Sequence, residues 1–101
     1  LQMLLELDGY SVRVVARGDR VLPEVHADRP DAILMDVNLA DADGLDILRA
    51  LREDGDLMGL PVLMTSGMDL EDQCLAAGAT NFILKPYPPD HLTQALAEML
   101  A

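Results

Sequence analysis

One cysteine, Cys74, stands among the 101 residues. That scarcity excludes an intrachain disulfide and a thiolate metal cluster, and it fits a reducing, cytoplasmic setting. Cationic charge is also sparse: seven Lys and Arg face eighteen Asp and Glu, for a net charge of -11. Phosphate backbones are neutralised by clustered Lys and Arg, so this chain is expected to contact neither nucleic acid nor an anionic membrane surface. Half the residues are hydrophobic, yet no apolar run is long enough to span a bilayer. Repeats, low-complexity segments, linkers and a signal-peptide pattern are all missing. His26 has no second His or Cys near it in the sequence, which argues against a metal role there. The length suits one domain with a buried core and leaves no room for a second. Leu1 is not a translation start, so the expectation is a fragment or a trimmed domain.

What is present is organised around Pro30 to Gly44, Pro-Asp-Ala-Ile-Leu-Met-Asp-Val-Asn-Leu-Ala-Asp-Ala-Asp-Gly. Ala32 to Met35 is a short continuous apolar run, the pattern of a strand buried on both faces of a parallel sheet, and it stops at Asp36. A carboxylate thus stands at a strand's carboxyl end, the edge of an open α/β sheet where ligands collect. The acidic turn Asp41 to Gly44 cannot continue the strand but can begin a helix at Leu45.

Taken in order, helical and strand patterns alternate. Leu1, Met3, Leu4 and Leu5 have the spacing of a helix tail stopped by Gly9. Tyr10 to Ala16, with Val12, Val14 and Val15, predicts a strand. Asp19 to Asp28 predicts a short helix with Val21, Leu22 and Val25 inward and Pro23 confined to its first turn. Leu45, Ile47, Leu48 and Leu51 give an amphipathic helix ending before Gly55, with Arg49 and Arg52 suited to its last turn. Pro61 to Thr65 predicts a strand ending at Ser66-Gly67. Asp69 and Asp72 have capping spacing for a helix that runs through Cys74 to Gly78, where Cys74 is expected to pack. Phe82 to Leu84 is a last strand, ended by Lys85-Pro86, and Pro88-Pro89 introduce a helix with Leu92, Ala95, Leu96, Met99 and Leu100 on one face.

Three successive strands therefore end in Asp36, Ser66 and Lys85. In a parallel sheet those ends share one edge, so a carboxylate, a hydroxyl and an ammonium can converge. The set suits phosphoryl transfer: the carboxylate can attack phosphorus to form an acyl phosphate, the hydroxyl can hydrogen-bond a phosphoryl oxygen, and the lysine can neutralise its charge. Gly67 has no side chain to crowd the incoming group. The plainer possibility is that Ser66 caps a turn and Lys85 pairs with any nearby acid.

The chain resembles the receiver domain of two-component response regulators over its whole length, residues 1–101. Pro30 to Asp36 followed by Asp43-Gly44 is similar to that family's phosphoacceptor segment. Pro61 to Gly67 resembles the strand carrying its switch hydroxyl. Ala76 to Ala79 through Phe82 to Pro86 resembles the segment with the switch aromatic and the lysine. The resemblance implies a flavodoxin-like doubly wound parallel sheet of order 2-1-3-4-5. It implies that Asp36 accepts a phosphoryl group from a histidine kinase or phosphotransfer protein, that Mg²⁺ is held by Asp36 and the Asn38 carbonyl, that Ser66 and Lys85 bind the phosphoryl oxygens, and that Phe82 rotates inward to switch an output surface. Such a module is not an enzyme, and its output partner is not encoded in these residues.

Several residues depart from the family pattern. Ala40 stands where proline is usual, which is expected to loosen the loop after Asp36. The stretch Ser66 to Gly78 is about a helical turn shorter than usual. Thr65 precedes Ser66 directly; the two point to opposite faces of a strand, and alignment favours Ser66 as the switch hydroxyl. The family's first strand and the acidic pair at its end have no counterpart, and Glu6 and Asp8 are poor substitutes, so Mg²⁺ binding is expected to be weak. The gap should be repaired by an upstream strand (the preferred expectation), by a partner chain's strand or by direct pairing across it. Two other functions stay open: a receiver-like interaction module independent of phosphorylation, and a haloacid dehalogenase-like phosphatase. The phosphatase class needs a second Asp two residues after the nucleophile, where Asn38 stands.

Overall fold

The structure, a computed structural model, describes the backbone of residues 3–7 and residues 9–100 in full. Five strands form one sheet in the order β1-β2-β3-β4-β5: β1 (Met3–Leu7), β2 (Tyr10–Val15), β3 (Ala32–Asp36), β4 (Val62–Ser66) and β5 (Asn81–Leu84). Strands β2 to β5 are parallel, and β1 is antiparallel to β2. The helices are α1 (Val21–Ala27), α2 (Gly44–Glu53), α3 (Glu71–Ala77) and α4 (Pro89–Leu100).

Alternation along the strands sorts the apolar residues onto two faces. Ile33, Met35, Val62 and Met64 pack with Val21 and Val25 of α1, Leu48 and Leu51 of α2 and Cys74 of α3. Val12, Ala32, Leu34 and Leu63 pack with Ala95 and Leu96 of α4. Helices therefore cover both faces, which is why β3 and β4 read as continuous apolar runs. This is the flavodoxin-like α/β architecture. Pro23 lies in the first turn of α1, and α3 ends at Gly78 in the left-handed conformation, with φ 111°.

The amino-terminal expectation is corrected. Met3, Leu4 and Leu5 belong to a strand, not a helix tail, with Leu5 opposite Val12 and Leu7 opposite Tyr10. That last pair leaves two residues, Asp8-Gly9, to connect the strands; Gly9 has φ 86°, the conformation a two-residue hairpin demands. Leu1 and Asp8 themselves lie outside the described residues. Of the three repairs expected for the gap, direct pairing across it is the one made within this chain. Val12 pairs with Ala32 and Val15 with Met35, so β2 and β3 meet directly and leave no slot between them. Each strand's buried donors and acceptors satisfy the other's, which removes the penalty an empty slot would carry.

Two residues hold α2 in place. Gly44 begins it where a Cβ would collide with the Asp36 carbonyl oxygen and come within 3.0 Å of Val37 Cα, so only glycine permits this approach. At the other end Arg52 donates from Nε to the Gly78 carbonyl at 2.7 Å and from one terminal nitrogen to the Leu60 carbonyl at 2.6 Å and the Met58 carbonyl at 3.2 Å. It thereby ties α2 to the entry of β4 and the exit of α3.

Candidate functional site

Asp36 is the last residue of β3. Beyond it the chain turns sharply: Oδ1 accepts the Asn38 backbone N–H at 2.9 Å, the Val37 N–H reaches the Thr65 carbonyl at 2.9 Å, and Gly44 N–H reaches the Val37 carbonyl at 2.6 Å. The Asp43 side chain caps α2 by accepting the Leu45 N–H at 2.9 Å. The carboxylate is thus anchored between a strand end and a helix start.

Lys85 follows β5, and its N–H donates to the Ser66 carbonyl at 2.8 Å. Its ammonium donates to Asp36 Oδ2, so these two strand ends meet in an ion pair. Both side chains line an open cleft of about 270 Å³ together with Val14, Leu34, Asn38, Thr65 and Tyr87.

The expectation that the loop after Asp36 is loosened by Ala40 meets a physical obstacle. Because β2 lies beside β3, the Ala40 N–H reaches the Ala16 carbonyl at 3.3 Å, a bond that proline could not make. Next to it Asp41 accepts the Gly18 and Asp19 backbone N–H groups at 2.7 and 3.0 Å. The Gly18 bond chiefly, helped by Arg17, holds the Asp41 carboxyl below its ordinary range. These bonds knit the loops after β2 and β3 together.

Ser66 stands elsewhere. It is fully buried, does not line the cleft, and its Oγ accepts the Met68 N–H at 3.1 Å. Ser66 therefore caps the turn after β4. Thr65 does line the cleft; it is 3% exposed, and its hydroxyl has no hydrogen-bond partner among the described residues. Phe82 is half-buried against the core formed with α1, α2 and α3. Sequence reasoning named Asp36, Asn38 and Lys85, which the structure brings together. It passed over Tyr87 and set Thr65 aside.

The oxygen donors fit Mg²⁺ in kind, since a carboxylate and an amide carbonyl are the hard ligands it takes. In number they are few: among the described residues Asp36 is the one carboxylate lining the cleft, and Lys85 already neutralises it. Water would have to complete the shell. A separate group of His26, Asp54 and Asp56 brings ligand-type atoms within 4.8 Å of one another. There the His26 ring lies 2.7 Å from Asp54, which also accepts the Asp56 N–H at 2.9 Å. Among the described residues no helix is long and apolar enough to cross a membrane.

Comparison with known proteins bears on the fold and the family. The family model of the response regulator receiver domain matches residues 1–97. The response regulator MprA of Mycolicibacterium vanbaalenii is 34% identical over 103 residues, an alignment covering 99% of this chain and 44% of the relative. The chain therefore spans less than half the length of that protein. A response regulator from Chloroflexus aurantiacus superposes with a TM-score of 0.81 at 32% identity, covering 91% of this chain and 78% of that one. The receiver domain of a sensor histidine kinase from Pseudomonas aeruginosa, solved with a magnesium ion coordinated in its active site cleft, has a TM-score of 0.74 at 27% identity and covers 85% and 73% of the two chains. A carboxylate and a lysine paired at one sheet edge, a flavodoxin-like fold and a family match over nearly the whole chain lead to one conclusion: this chain belongs to the response regulator receiver domain family.

Proposed function

We propose that Asp36 is the phosphoacceptor of a two-component phosphorelay. A carboxylate oxygen attacks the phosphorus of a phosphohistidine on a histidine kinase or phosphotransfer protein. The phosphorus–nitrogen bond breaks, the ring nitrogen keeps the electron pair and takes a proton from solvent, and an acyl phosphate forms on Asp36. Lys85 is placed to follow the charge outward, exchanging the carboxylate for a phosphoryl oxygen. Mg²⁺ held by Asp36 and the Asn38 carbonyl would supply neutralisation of the phosphoryl charge. The Asn38 N–H, already directed at Oδ1, orients the carboxylate.

The observation that carries this reading is the Asp36–Lys85 pair at the mouth of an open cleft, on the carboxyl edge of the parallel strands. Acetyl phosphate with Mg²⁺, followed by intact-mass measurement, should add one phosphoryl group to the wild-type chain and none to Asp36→Asn. An Asp36→Asn variant labelled as fast as wild type refutes the assignment.

The downstream step is a population shift. The phosphoryl group biases an equilibrium that draws Phe82 further inward and alters the surface of α3, β5 and α4 read by an output partner. A second reading is favoured by the single cleft carboxylate: an interaction module that signals without phosphorylation. It predicts partner affinity that is the same before and after acetyl phosphate treatment.

A further inference from the structure

We propose that His26, Asp54 and Asp56 form a binding site for a divalent transition-metal ion of the zinc type, at the edge of the sheet opposite Asp36 and independent of its role. Each of the three offers one ligand atom, and these atoms lie within 4.8 Å of one another. His26 is in the last turn of α1, Asp54 is the residue that ends α2, and Asp56 follows in the connection to β4. Both helices begin at the carboxyl edge of the strands and run back to the amino edge, where β3 and β4 enter. The length of α2 makes that distance about 15 Å, so the cluster is separate from the cleft at Asp36.

No second His or Cys accompanies His26; folding supplies carboxylates instead, from a connection that starts 28 residues further along. His26 Nε2 and Asp54 Oδ2 are 2.7 Å apart. Ligands at right angles on an ion with bonds of about 2.1 Å are about 3 Å apart, so this pair is already near the spacing of two ligands on one metal. Asp54 is fixed from its other oxygen, since Oδ1 accepts the Asp56 N–H at 2.9 Å and leaves Oδ2 to the imidazole. Arg29 donates to the Asp56 carbonyl oxygen at 2.7 Å, which anchors the backbone there. The Asp56 carboxylate itself has no hydrogen bond or ion pair among the described residues, and it is exposed, so a change of rotamer closes the remaining distance. Two carboxylates thus stand close together beside a half-exposed imidazole, with no Lys or Arg paired to either among the described residues. A divalent cation cancels both charges. The imidazole, bound through Nε2 with its remaining proton on Nδ1, selects Zn²⁺, Co²⁺ or Ni²⁺ over Mg²⁺ and Ca²⁺, which take oxygen ligands. Water completes the shell, and the bound ion ties the end of α1 to the exit of α2.

The test is calorimetric titration of the full chain with Zn²⁺ near neutral pH, in wild type and in Asp36→Asn, which removes the cleft carboxylate. Both should bind one Zn²⁺ at this site, with affinities within about twofold because the two places are far apart. Zn²⁺ should also raise the melting temperature, since it binds the folded chain. His26→Gln and Asp56→Asn should each weaken binding by at least about tenfold, because losing even an outer partner of a metal ligand costs that much. His91→Gln removes the other histidine and should leave the affinity within about twofold of wild type. Melts in EDTA establish that each variant is folded, and His26→Ala stands in if His26→Gln is not. A wild type that binds no Zn²⁺ up to about 100 μM overturns the proposal. So does a His26→Gln that binds as wild type does, or a loss of binding that follows His91→Gln or Asp36→Asn instead.

Discussion

Arg52→Ala should be among the more destabilising substitutions outside the two cores. Its guanidinium meets carbonyls from two separate connections, Leu60 before β4 and Gly78 after α3, at 2.6 and 2.7 Å. Hydrogen bonds from a charged donor contribute about 1.5 to 3 kcal/mol each; taking the lower end for part-buried acceptors, two of them come to about 3 kcal/mol. The longer contacts to Met58 at 3.2 Å and Thr80 at 3.4 Å are exposed and add little. A domain of this size loses about 4 to 8 °C in melting temperature per kcal/mol, so the melt should fall by about 12 to 24 °C. The variant stays folded at room temperature if wild-type stability lies in the usual range of about 5 to 15 kcal/mol. Lysine cannot span both carbonyls from one ammonium, so Arg52→Lys should lose about half as much. Urea unfolding followed by circular dichroism reads the difference as a lower midpoint at unchanged slope. If Arg52→Ala unfolds within about 1 kcal/mol of wild type, or Arg52→Lys matches it, the clamp is not holding these connections together.

Gly44→Ala should destabilise by more than about 2 kcal/mol, since the new Cβ meets backbone and neither strand nor helix can yield freely. The same variant should also slow labelling of Asp36, whose carbonyl it displaces; a stable variant labelled at the wild-type rate would show that α2 can shift without cost. For pH, the His26 hydrogen bond chiefly, with the Asp56 N–H, holds the Asp54 carboxyl below its ordinary 3.8. A carboxyl depressed in the folded state contributes stability that is present above the unfolded value and is lost as pH falls through the folded one, so the melting-temperature gap between wild type and Asp54→Asn should close as pH falls below 3.8. A gap that widens on acidification contradicts that sign.

The apolar runs made β3 and β4 legible because a strand buried on both faces needs no alternation, and Asp36 and Lys85 were legible because they end such runs. The hairpin at the start was also written in the chain. Asp8-Gly9 between apolar-rich segments is a strong hairpin signal, but helical spacing of the leucines competed with it and Gly9 suits either outcome. Thr65 and Ser66 show where local reading stops. Alternation says that the two hydroxyls face opposite ways; only the pairing of Asp36 with Thr65 says which way is toward the cleft. Arg52 looked like a charge suited to a helix end, and its carbonyl acceptors come from segments up to 26 residues away. Contacts of that range depend on how helices settle on the sheet, which no window of sequence contains.

The mixed sheet also sets an order of assembly. The β1–β2 pair is closed by a two-residue connection, whereas β2 and β3 must wait for the intervening α1 crossover before Val12 can find Ala32. Hairpins close in about 1 to 10 μs, while parallel pairs carry the entropy of a long loop before any ladder bond forms. The hairpin is thus expected to be the earliest ordered piece of the chain, and its inner strand the template on which β3, β4 and β5 are laid down in turn. Refolding rate should then respond to substitutions in the Asp8-Gly9 connection more than unfolding rate does, marking this short antiparallel edge as part of the folding nucleus.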